Sequence, residues 1–170
     1  MAKVIIALGS NMGNRHQYLL RAKSFLESLA TTNSGIIASP IYQSEAVGPS
    51  DRPFLNAVVQ LRTGDTLTPQ DLLSRLKAFE AGQGRNLNAS RWSERPIDLD
   101  IIAWDDLVIR SDNLIIPHPE YIKRLFVLLP LKDIQPEWDD IVTGKPIDQL
   151  IAEAPKLSIR KTELTWQSDE

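Results

Sequence analysis

An α+β fold, one antiparallel sheet with its helices on one face, is predicted by three observations. Apolar runs of strand length recur up to Trp104, two segments between them carry apolar residues at helical spacing, and turn-forming residues separate the pieces. The resulting order, β-α-β-β-α-β, is the ferredoxin-like plan of four antiparallel strands with both helices on the same side.

Lys3 to Leu8 is an apolar run ended by Gly9-Ser10-Asn11, a strand followed by a turn. From Asn14 the period changes. Tyr18, Ala22, Phe25, Leu26 and Leu29 are spaced as on one helix face, with charged residues between them. Gly35 restarts extended structure through Ile36, Ile37 and Tyr42, a stretch rich in turn formers runs from Glu45 to Pro53, and Phe54 to Arg62 reads as the third strand. Thr68-Pro69-Gln70-Asp71 is a helix start, with Thr68 as N-cap, proline at the first helical position and an acid in the first turn. Leu72, Leu76 and Phe79 form the buried stripe of that helix, and Gly82 and Gly84 end it.

The fourth strand raises a question. Ile97, Leu99 and Ile101 alternate with Asp98 and Asp100, so both carboxylates share one face two residues apart. Aspartate is a poor strand former, and like charges on one face repel. Beyond this strand a short C-terminal extension holds Pro117-His118-Pro119, the apolar run Phe126 to Leu131 and a polar end. We expect one domain over residues 1–160 and a polar, disordered tail over 161–170 that includes Trp166.

Composition narrows the function classes. The chain has 170 residues, of which 42% are apolar and 24% charged, as in an ordinary globular domain. A net charge of −3 gives no global basic field for nucleic acid or an anionic membrane. There are no cysteines, which excludes disulfides, thiolate catalysis and cysteine zinc sites. The opening MAKVIIALGS is too short in apolar residues for a signal peptide, and no run reaches membrane-spanning length. The expectation is a cytoplasmic monomer with no nucleic-acid or membrane partner.

The residues before the aspartate strand carry the chemistry. Gly84 to Pro96 holds Arg85, Arg91 and Arg95 with Trp92 in a polar stretch leading directly into Asp98 and Asp100. Arginine's planar fork suits phosphate oxygens, and paired carboxylates suit Mg²⁺, which takes phosphate oxygens to complete its octahedron. Together they point to a metal–polyphosphate site. Phe54 and Asn56 fall on one strand face, where they could stack a flat heterocycle and read its polar edge. No Walker loop, zincin helix or nucleophile–base pair is present.

Gly9-Ser10-Asn11, Ser44 through Asn56, Gly84-Arg85, Arg91-Trp92, Arg95-Pro96-Ile97-Asp98-Leu99-Asp100 and Pro117-His118-Pro119 occur in an order that resembles one family. That family is the 6-hydroxymethyl-7,8-dihydropterin pyrophosphokinases, and the resemblance runs from about residue 4 to residue 145. It implies transfer of the β,γ-pyrophosphoryl group of ATP, as co-substrate, to the pterin hydroxymethyl oxygen with release of AMP. By the same resemblance Asp98 and Asp100 hold two Mg²⁺ ions, and Arg85 and Arg95 act with them as catalytic residues that neutralise the transferring group. Glu80, Arg85, Trp92, Arg95, Ile101, His118 and Arg124 match the ATP site. Ser44, Val47, Gly48, Phe54, Asn56 and Phe126 match the pterin site. The chain departs from some relatives at Asn86, Leu87 and Asn88, where they carry basic residues, at Phe54 for tyrosine and at Pro119 for an aromatic residue.

Two alternatives compete. The β-α-β-β-α-β order is also that of RNA-recognition domains, which stack bases on aromatics of the central strands; Lys3 to Leu8 has none. A different magnesium-dependent transferase could use Asp-x-Asp for a nucleotide sugar, but the Phe54–Asn56 pair and the short domain favour the pterin reading.

Overall fold

The computed structural model describes residues 1–31, 35–46, 52–84 and 96–167. Along them run β1 (Ala2–Ser10), α1 (Arg15–Leu29), β2 (Ile36–Ala38), β3 (Tyr42–Ser44), β4 (Phe54–Thr63), α2 (Pro69–Gly82) and β5 (Asp98–Trp104). After them come the hairpin β6 (Ile109–Arg110) and β7 (Ile115–Ile116), a 3-10 turn at Tyr121–Lys123, α3 (Leu125–Ile134), α4 (Ile147–Glu153) and β8 (Ile159–Lys161).

The main sheet has the order β5-β1-β4-β3-β8, with β2 also on β4, and its neighbours pair antiparallel. Both predicted helices share one face. Leu19, Ala22 and Leu26 of α1 and Leu72 and Leu76 of α2 pack on Val4, Ile6 and Leu8 of β1 and on Leu99 and Ile101 of β5. Their starts match the sequence signals: Asn14 accepts the Gln17 N–H, and Thr68 and Asp71 form a reciprocal capping box.

The C-terminal extension builds the second face. Tyr121, Val127, Leu128 and Leu131, with Ile147 and Leu150 of α4, cover Ile5, Val58 and Ile102 on the opposite side of the sheet. A sheet covered on both sides buries alternate residues equally, which is why Val4, Ile5 and Ile6 are all fully buried and read as a continuous apolar run.

Two expectations are corrected. The extended run from Ile36 to Tyr42 is two strands, because Pro40 has no N–H to continue the ladder. Ser39 patches the gap: its N–H donates to Val58 O at 2.9 Å and its Oγ accepts the Val58 N–H at 2.9 Å. Residues 161–167 are also not a disordered tail. β8 pairs Lys161 with Tyr42, the Thr162 N–H donates to Ile41 O at 2.9 Å, and Trp166 Nε1 donates to Ser39 O at 2.7 Å. The outer edge of β3 is what a polar strand can satisfy without apolar side chains.

Ser39→Ala should leave the buried Val58 N–H without its acceptor and lower stability by about 1–3 kcal/mol in urea unfolding at unchanged m-value. A loss below about 0.5 kcal/mol would show that the hydroxyl is not the ladder's missing link.

Candidate active site on the second face

Strand register assembles the site before any helix contributes. Asp98 lies opposite Gly9, Gly9 opposite Asn56 and Asn56 opposite Tyr42; one step along, Asp100 lies opposite Ala7 and Ala7 opposite Val58. Directly opposed residues share a face, so the acids, Asn56 and, two residues away, Phe54 look out on the side that α3 covers. Between sheet and helix is a cavity of about 500 Å³. Gly9, Ser44, Phe54, Asn56, Asp98 and Asp100 line its floor, and Arg124, Phe126 and Val127 line its roof.

Gly9 is there for space. A Cβ on it would sit 3.6 Å from Asn56 Oδ1 and 3.9 Å from Phe54 Cδ1, inside the floor of the cavity. Asn56 is buried, and its Nδ2 donates to the buried Ser44 Oγ at 2.7 Å. That bond commits the amide's donor side to Ser44 and leaves Oδ1 to accept from a ligand. Phe54 and Phe126, both matched to the pterin site by resemblance, line this same cavity from floor and roof.

A second cavity of about 290 Å³ adjoins it, lined by Lys77, Leu99, Asp100, Ile101, Asn113 and His118 among others. The His118 N–H donates to Ile102 O at 2.9 Å, and its Nδ1 accepts the Glu120 N–H at 3.1 Å. The neutral ring therefore carries its proton on Nε2. Burial pushes the imidazole below its ordinary range, so the neutral form dominates near pH 7. Asp100 borders both cavities. Arg124 reaches to 3.9 Å from its Oδ2 while its guanidinium lies 5.7 Å from the Phe126 ring centre. The pair is too exposed to add much stability, and what it fixes is position.

Glu80 differs from its expected place. It is 2% exposed, lines neither cavity among the described residues, and lies behind β5. Its Oε2 accepts the Leu99 N–H at 2.7 Å, between the two aspartates, while Oε1 has no hydrogen-bond partner among the described residues and Lys77 Nζ stands 3.5 Å away. Burial pushes this carboxyl up, Asp98 and Asp100 push it the same way, and the Leu99 N–H and Lys77 oppose them. Ser10 Oγ donates to Pro96 O at 2.5 Å, tying the chain just before β5 to the end of β1. Arg85, Trp92, Arg95, Val47 and Gly48 lie outside the described residues.

Among the described residues no group of three or more His, Cys, Asp or Glu is placed to hold a metal ion. Asp98 and Asp100 alone are two hard oxygen donors on one face, which fits Mg²⁺, a cation that keeps several waters and takes phosphate oxygens. Sequence reasoning read Gly9 as the turn ending the first strand, whereas β1 continues through it to Ser10, and gave no site role to Lys77 or to the residues at 155–157 that also line the larger cavity. Gly9 carried a usable signal, since glycine within a strand marks a close approach.

The sequence model of one family, 7,8-dihydro-6-hydroxymethylpterin-pyrophosphokinase (HPPK), matches residues 5–136. A 2-amino-4-hydroxy-6-hydroxymethyldihydropteridine pyrophosphokinase of Pseudomonas aeruginosa is 36% identical over 154 residues, 90% of this chain and 92% of the relative. The enzyme of that name from Bacillus subtilis is 38% identical over 145 residues, 85% and 84% of the two chains. The crystal structure of Plasmodium falciparum HPPK-DHPS shares the fold, with a TM-score of 0.69 at 17% identity over 89% of this chain; this chain spans 44% of that longer one.

Glu80→Gln keeps an acceptor for the Leu99 N–H and removes a buried charge, so its stability at neutral pH should equal or exceed that of the native protein. Glu80→Ala leaves that N–H unmet and should lose about 1–3 kcal/mol in chemical denaturation. Equal losses from both substitutions would mean that the hydrogen bond does not hold the strand.

Proposed function

The chain belongs to the 7,8-dihydro-6-hydroxymethylpterin-pyrophosphokinase family, and from that premise we propose that it moves the β,γ-pyrophosphoryl group of ATP onto the hydroxymethyl oxygen of 6-hydroxymethyl-7,8-dihydropterin, in folate biosynthesis. The observation that carries the reading to this site is that two adjoining cavities meet at one carboxylate, Asp100. The larger, with Phe54, Phe126 and the Asn56 acceptor, suits a flat heterocycle with N–H donors on its edge. The smaller, with apolar walls and the Nε2–H of His118, suits the nucleoside.

The step forms a bond from the hydroxymethyl oxygen to Pβ and breaks the bond from Pβ to the oxygen bridging Pα. AMP leaves with that bridging oxygen, and the hydroxyl proton is lost. Such transfers ask a protein mainly for alignment and for neutralising spread charge. Asp98 and Asp100 would hold two Mg²⁺ ions, which when bound supply that neutralisation at the phosphate oxygens. Arg124, turned toward Asp100, stands where the two ligands meet. On their motif positions Arg85 and Arg95 add charge on the transferring group, Trp92 covers ATP, and Val47 and Gly48 join the pterin edge. The enzyme works as a cytoplasmic monomer with no nucleic-acid partner. Against RNA recognition stands a specific fact: the sheet face that would stack bases is covered by α3 and α4.

Incubation with Mg²⁺, ATP and the hydroxymethyl-dihydropterin should yield AMP and the pterin diphosphate; ADP as the product would overturn the reading. Asp100→Ala should abolish this turnover, a loss of several kcal/mol in the transition state at about native stability. Persisting activity at saturating Mg²⁺ would remove Asp100 from the metal site.

Gly9→Ala tests the cavity floor. Its contacts are ordinary van der Waals distances, so the fold should tolerate the methyl, while a pterin packed on that floor should bind about 1–3 kcal/mol more weakly. Calorimetric titration with pterin and, separately, with a non-hydrolysable MgATP analogue reads this; an unchanged pterin affinity would place the ring elsewhere.

A further inference from the structure

Residues 155–157 lie past the end of the family match at 136, yet Pro155, Lys156 and Leu157 line the larger cavity. They come directly after α4 and lie at the β3 side, away from the aspartates. The next residue fixes that position: the Ser158 N–H donates to Glu45 Oε1 at 3.0 Å, and the Glu45 N–H donates to Ser158 O at 3.0 Å. Glu45 comes directly after Ser44, whose hydroxyl holds the Asn56 amide. The wall is thus joined to the residues that present the ring acceptor.

Beyond the wall the chain becomes a strap of anchors. β8 pairs with β3, Thr162 bonds to Ile41 O through both its N–H and its Oγ, and Trp166 Nε1 bonds to Ser39 O. Lys161 Nζ stands 3.8 Å from Asp133 and 5.8 Å from the ring centre of Tyr42, whose hydroxyl donates to Asp133 of α3. His16 Nε2 lies 2.7 Å from Thr165 O, which carries the strap to α1. A polar segment held at so many points is built to keep something in place, and the first thing it holds is the cavity wall.

We propose that residues 155–157 are a substrate-contacting wall specific to the heterocycle, held by the 158–167 strap, and that this wall determines how tightly the pterin is held. The proposal rests on the reading of the larger cavity as the pterin site. Leu157, half-buried, supplies apolar contact at the ring's edge, and Lys156 adds its methylene stem and ammonium at the mouth. Among the described residues, the nucleotide cavity takes none from this segment, so the wall acts on one substrate only.

The test is the Lys156→Ala/Leu157→Ala double variant of the full chain, with Trp166→Ala as a second variant that releases the strap at its far end. Pterin fluorescence titration should show the dissociation constant rising about five- to twentyfold in the double variant and by a smaller factor in Trp166→Ala. Calorimetry with a non-hydrolysable MgATP analogue should show nucleotide affinity unchanged, and KM for pterin should rise with kcat near the native value. Unchanged pterin affinity in the double variant overturns the proposal, as does a parallel loss for both ligands, which would mark the segment as structural support alone. A native protein that binds no pterin at all would instead defeat the proposed function.

Discussion

Two like charges held two residues apart on the outermost strand of the sheet are the constraint on which the rest depends. Among the described residues β5 pairs along the sheet only with β1, so the register Asp98–Gly9 and Asp100–Ala7 alone sets where the carboxylates stand. On the far side, where an edge strand offers an N–H outside the β1 ladder, Glu80 reaches from α2 and accepts the Leu99 N–H, N···O 2.7 Å. A buried acid is a poor choice for stability there, since its second oxygen has no hydrogen-bond partner among the described residues and two aspartates repel it. Three local rules are broken within one strand and its backing, and the proposed binding of phosphate through a divalent cation would offset the repulsion between the two aspartates.

The second constraint is topological. A ferredoxin-like sheet with one bare face is a platform, and platforms bind by stacking along an open surface. Here the C-terminal third folds back over that face and makes an enclosure of it. The brace is a buried polar knot: Tyr121 OH donates to Asp140 at 2.5 Å, and Asp140 also accepts the Thr143 N–H at 2.9 Å and the Thr143 hydroxyl at 2.8 Å. Burial pushes Asp140 upward, but these bonds win and hold its carboxyl below the usual range, while Tyr121 is driven well above its own. The knot fixes the 3-10 turn from which α3 departs, and so fixes Arg124 and Phe126 over the strands.

Strands β1, β4 and β5 and helices α1 and α2 were legible because their signals are local: apolar period, an N-cap with proline behind it, glycine where α2 ends. Asp98 and Asp100 were legible because they violate a local rule. Ser39 was not, since its role exists only opposite Val58, and nothing in the sequence states the pairing. β8 and Trp166 were missed for a related reason. An edge strand needs one ladder of backbone bonds and no apolar stripe, so its side chains carry no period to read. Glu80 was assigned to the ATP site by motif, and its carboxylate lies buried behind β5 on the Leu99 N–H; motif position gives proximity without saying which side of the backbone faces the chemistry.

Chain connectivity then links the acids to the arginines. The stretch bearing Arg85 and Arg95 begins just after Glu80, which grips β5 at Leu99, and ends at Pro96, whose carbonyl is held by Ser10 at 2.5 Å. Both ends are therefore fixed at the start of the aspartate strand, one through α2 and one through β1. The described residues on either side of that stretch are thus anchored to β5 and to β1. Around Asp100 the described cation is Arg124, half-exposed and 3.9 Å away, a pairing loose enough to rearrange when phosphate oxygens arrive. The strand register thus holds both acids on one face, and Arg124 brings a cation to one of them. That division suits a transfer from ATP, whose phosphates enter and leave on every turnover.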